Sequence, residues 1–162
     1  MKSNKNIFTK VFLCVLTAIG FLFFSKSAVA QPNLQKAIKS HIEKVREDAS
    51  EYKEARQIVY GDVDGDGVKD AVVKYTLEGA AGGNSWGQNL AVFLNKKGAY
   101  KISAEETVGG KFFRSFDLLK ILNREIIAAT ETCPENNPQG MCKNPKREQV
   151  KFVLLKGKLK EK

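Results

Sequence analysis

Between residues 57 and 155 the apolar side chains recur mainly at alternate positions, in short runs, and no second long stretch repeats with a helical period. Side chains at every second position share one face of a strand, so such runs read as strands with one face turned to a core. The runs cover residues 57–60, 71–77, 90–95, 99–108, 111–122, 125–132 and 149–155. Lys96-Lys97-Gly98 and Asn123-Arg124 separate neighbouring runs by two or three residues, a length that closes antiparallel hairpins. Parallel pairing needs crossovers of about a dozen residues or more, usually helical, and the pattern offers none. Gly109-Gly110 marks a bend or bulge, and Phe112, Phe113 and Phe116 read as strand and core residues.

One helical pattern precedes the strands. Asn33 suits a cap, and Leu34, Ala37, Ile38, Ile42, Val45, Ala49 and Tyr52 follow at three-to-four spacing, predicting an amphipathic helix to about Glu54. The expected fold is therefore α+β, with one N-terminal amphipathic helix packed on a six- to seven-stranded, mainly antiparallel sheet. Residues 31–162 have the length of one ordinary domain, ending in a basic tail of Lys156, Lys158, Lys160 and Lys162.

Residues 1–30 have a different character. Lys2, Lys5 and Lys10 precede an apolar run from Val11 to Phe24, and Ala28-Val29-Ala30 has the small-x-small form cut by signal peptidase. The run is 14 residues long, short of the roughly 20 that span a bilayer. The pattern predicts a signal peptide over 1–30, export to the periplasm or the outside, and no transmembrane anchor after cleavage. The net charge of +9 drops by the four Lys of that leader. The remaining basic residues are scattered without interleaved aromatics, which argues against nucleic acid.

With Cys14 inside the leader, Cys133 and Cys142 remain. An even pair in an exported chain predicts a disulfide, here closing a turn-rich loop.

Residues 62–70, Asp-Val-Asp-Gly-Asp-Gly-Val-Lys-Asp, set acids at positions 1, 3, 5 and 9 of a glycine-punctuated loop between two strands. Four carboxylates this close repel unless a cation lies among them, and a hard cation with oxygen ligands, Ca²⁺ above all, fits the spacing. Asp62, Asp64, Asp66 and Asp70 would supply side-chain oxygens and Val68 its carbonyl, with Gly67 permitting the sharp turn. Position 12 is Val73 where an EF-hand requires Glu, and a strand follows where an EF-hand has a helix, so that family does not fit. The stretch from Tyr60 to Val73 resembles instead the calcium loop of FG-GAP and VCBS-type repeats, which joins two strands of a propeller blade. The resemblance implies the same five ligand residues. It covers about fourteen residues and occurs once, so it implies the local strand–loop–strand geometry and no propeller.

Other candidates are weaker. The stretch 79–87 lacks the Lys of a phosphate loop, but Asn84, Ser85, Trp86 and Gln88 would suit a ligand loop for sugar or peptide. The alternative is that Trp86 folds back onto the sheet. His41 has no ligand cluster around it in sequence, and Glu105 and Glu106 point to opposite faces of a strand. No nucleophile–base arrangement stands out. The expected function is an exported, monomeric binding module for a protein or an envelope glycan, with Ca²⁺ mainly structural. Alternatives are an inhibitor or immunity protein against a cell-wall hydrolase, or a small envelope enzyme using the cation.

Overall fold

The computed structural model describes residues 32–80, 83–133 and 142–162. The expected signal peptide lies outside the described residues. Helix α1 (Pro32–Val45) is followed by the short strand β1 (Ser50–Glu51), a 3₁₀ turn (Lys53–Ala55) and strands β2 (Gln57–Gly61), β3 (Asp70–Glu78), β4 (Trp86–Lys96) and β5 (Ala99–Gly110). Strands β6 (Ser115–Leu122), β7 (Glu125–Thr132), β8 (Lys146–Leu155) and β9 (Lys158–Glu161) complete the order.

The strands form two antiparallel sheets, not one. In the first, β3, β4 and β5 pair in sequence, while β1 and β2 both pair with β3. The second is the meander β6-β7-β8-β9. The fold is thus mainly β, which overturns the α+β expectation of a helix on a single six- to seven-stranded sheet. The antiparallel hairpins themselves are present.

The reason lies in what covers β3. Ala71, Val73 and Tyr75 share one face and pack with Leu34, Ile38 and Ile42 of α1. On the other face Val72, with Leu90, Val92 and Val108, meets Phe116, Leu118, Ile126 and Phe152 of the second sheet. Lys74 and Thr76, whose polarity suggests an outer face, are also covered, at 3% and 5% exposure. Lys74 Nζ stays 3.8 Å from Asp117 on β6. Burial pulls its ammonium pKa down, and Asp117 opposes that shift.

Three boundaries also differ from the sequence pattern. The helix stops at Val45 because Glu47 adopts a left-handed conformation (φ 49°) and the chain then turns into β1. Asn33 lies inside the helix and donates to the Gly98 carbonyl in place of a cap bond. The basic tail is strand β9, joined to β8 by Lys156-Gly157 in positive φ, the two-residue turn that matches strand twist. Among the described residues no helix is long and apolar enough to cross a membrane.

Candidate metal centre

The acidic loop joins β2 to β3, and its two ends are paired directly, Gly61 opposite Asp70. Val63 is buried in the core between the sheets, which hooks the loop to the body of the protein. Gly65 and Gly67 take φ of 87° and 82°, so the turn uses glycine where other residues are strained. Seen from the second sheet, the Arg124 guanidinium rests against Gly65, where an added Cβ would collide with it.

Each carboxylate has a definite role. Asp62 accepts the backbone N–H groups of Gly65 at 2.6 Å and Gly67 at 3.0 Å. Asp64 accepts the Asp66 N–H at 3.1 Å, and Asp66 accepts the Val68 N–H at 2.9 Å. Asp70 is fully buried; it accepts Val63 N–H at 3.1 Å and Asn95 N–H at 2.9 Å. Burial raises the Asp70 pKa, the two backbone bonds oppose this, and the charges of Asp64 and Asp66 add to the rise.

Asp62, Asp64 and Asp70 bring one oxygen each to within 4.8 Å of one another, a group able to hold a metal ion. Two oxygens on one Ca²⁺ at 2.3–2.6 Å are separated by at most about 5 Å, so the spacing suits a hard cation. Asp66 is not part of that group. Its Oδ2 lies 2.5 Å from Lys96 Nζ, which also lies 2.8 Å from Asp64 Oδ2. The ammonium holds the Asp66 pKa down by hydrogen bonding, and Asp64 followed by Asp66 pushes the Lys96 pKa up. Val68 is 40% exposed beside them. Lys96 has a clear charge role here that no sequence motif announced.

The second candidate group divides. Gln88 is buried; its amide donates to the Phe116 carbonyl and accepts the Phe116 N–H, so it fastens β4 to β6. Asn84 and Ser85 are exposed and Trp86 half-buried. The Lys111 ammonium donates to the Asn84 carbonyl, and the Lys111 N–H donates to that of Trp86. Phe112 and Phe113 stand on the same turn, 67% and 54% exposed, contrary to their reading as core. The strand begins only at Ser115, because Gly110 and Arg114 close the turn by a backbone bond of 2.9 Å. The Lys111 and Arg114 cations lie over the Phe112 and Phe113 rings at 5.6 and 4.8 Å.

His41 is on the sheet-facing side of α1, edge-on to Tyr75 and Phe93. Its Nε2 is 3.1 Å from Glu105 Oε1, which also accepts the Tyr75 hydroxyl. Glu106, the neighbour of Glu105, is exposed. Cys133 and Cys142 form the expected disulfide, with Cα atoms 5.7 Å apart.

Comparisons with models of protein families, with curated proteins and with solved structures match nothing to this chain.

Proposed function

We propose that the chain is an exported binding module for a component of the bacterial envelope, propped by Ca²⁺ at the acidic loop. Asp62, Asp64 and Asp70, with Asp66 and the Val68 carbonyl of the FG-GAP-like pattern, would hold the ion. Extracellular calcium modules bind at about 10⁻⁴–10⁻³ M, and even a hundredfold excess over Kd stabilises by only about 2.7 kcal/mol. The ion's contribution in this reading is to stiffen one end of the first sheet.

The observation that carries the binding role is the Phe112-Phe113 pair, held outside the core on a hydrogen-bonded turn next to Asn84, Ser85 and Trp86. Exposed aromatic rings beside amide and hydroxyl groups match an envelope glycan, whose sugars offer an apolar face and a hydroxyl rim. By register this end of the sheet, where Gly87 faces Gly110, is opposite the acidic loop.

Co-sedimentation with purified cell-wall glycan tests the reading. The wild-type protein should pellet with it, and Phe112→Ser/Phe113→Ser should remain soluble with an unchanged melting temperature. Equal pelleting of both proteins would reject the aromatic end as the binding surface. Absence of any melting shift at millimolar Ca²⁺ would separately reject the ion.

A further inference from the structure

Away from the aromatic turn, α1 and the segment from β1 through the 3₁₀ turn enclose an open groove of about 670 Å³. Its helix side carries Lys36 and Lys39, with Arg46 just past the helix end, and its other wall carries Lys53 and Arg56, against the acids Glu43 and Glu51. Residues three and four apart share a helix face, so Lys36, Lys39 and Glu43 line one side of α1 over about 10 Å at 1.5 Å per residue.

The two acids are already engaged. Glu51, 7% exposed at its side chain, takes Arg56 bidentately at 2.7 and 2.5 Å. Arg56 also donates to Gln35 on the helix at 3.2 Å, which ties the two walls together. Glu43 is 3.8 Å from Lys39. Lys36 and Lys53 have no anionic partner among the described residues. Five cations against two acids, one of the cations braced by Glu51 and Gln35, leave the groove lining with excess positive charge.

We propose that this groove binds a linear polyanion carrying phosphate groups. A concave cleft with charges on both walls suits a chain lying in it, whereas a flat bilayer would reach only the rim. None of the described residues lining the groove is aromatic, so they offer no platform on which bases would stack, which disfavours single-stranded nucleic acid. Lysine ammoniums, the groups left unpaired, bind phosphate as point charges. The site is independent of both the acidic loop and the aromatic turn.

The test uses the mature chain and short-chain linear polyphosphate in titration calorimetry at low salt. Lys36→Glu/Lys53→Glu should weaken binding by about tenfold or more, because two attractive charges become repulsive. Lys101→Glu/Lys120→Glu, the same charge change at exposed positions elsewhere, should weaken it by less than about threefold. Lys36→Gln/Lys53→Gln gives an intermediate loss, and thermal melts confirm that each variant is folded. Polyphosphate binding that is absent, or lost equally in the groove and control variants, would overturn the proposal. So would equally tight binding of poly-glutamate or single-stranded DNA. Phe112→Ser/Phe113→Ser should bind polyphosphate as wild type does, so failure of the groove and failure of the aromatic surface are read separately.

Discussion

The Lys96 ammonium lies 2.8 Å from the Asp64 carboxylate and bridges it to Asp66. Asp64 is also one of the three carboxylates able to hold a metal ion together, so a cation bound among them would compete with Lys96 for its charge. Lys96→Met should tighten Ca²⁺ binding by about two- to fivefold, the scale of an exposed ion pair. Titration calorimetry of the two proteins measures it; weaker binding in the variant would mean that Lys96 organises the loop and does not compete.

Asp70, fully buried, accepts the Val63 N–H of the acidic loop and the Asn95 N–H of β4, and so fastens the loop to the sheet. Asp70→Ala leaves the Val63 and Asn95 N–H groups without their acceptor and should cost about 2–4 kcal/mol in urea unfolding. Asp70→Asn retains an acceptor and should lose less.

Lys74 is a charge covered by the second sheet, and its partner Asp117 is largely exposed. Replacing it with Met removes the desolvation penalty and leaves no buried charge unpaired. Lys74→Met should be neutral to about 1 kcal/mol stabilising. A loss of more than about 2 kcal/mol in denaturant melts would show instead that the ion pair holds the sheets in register.

Glu125 accepts Lys151 at 2.7 Å and Lys162 at 2.8 Å, and these bonds, Lys151 first, hold its pKa at about 2. A carboxyl depressed in the folded state contributes stability that is complete above its unfolded value near 4.5 and lost toward about 2. Wild type should therefore lose more stability than Glu125→Gln between those pH values. Parallel slopes would remove Glu125 from the acid transition.

Reduction of Cys133–Cys142, nine residues apart, should lower stability by about 2–3 kcal/mol on the chain-entropy account. Denaturation with and without reductant gives the difference, and Cys133→Ser/Cys142→Ser should match the reduced protein.

The parts legible in sequence were those set by nearest neighbours. Alternation marked β3 and its inward set Ala71, Val73 and Tyr75; the two- and three-residue separators marked the hairpins; the Asp-Gly pattern marked the acidic loop. Illegible were the features that depend on what lies across space. Phe112 and Phe113 look like strand residues until the bond between Gly110 and Arg114 takes them out of the ladder. Gln88 reads as a ligand group until Phe116 claims both ends of its amide.

By itself, then, the sequence determined the alternating cores of the main strands, the short hairpins between them and which carboxylates share one loop, because steric preference and side-chain period act within a few residues. Only the tertiary structure decided that the strands divide into two sheets and that Lys74 is covered. It alone brought Lys96 and Arg124 to the acidic loop and left an aromatic pair outside. Those outcomes depend on which apolar faces find each other, and each face has more than one partner until the whole chain is packed.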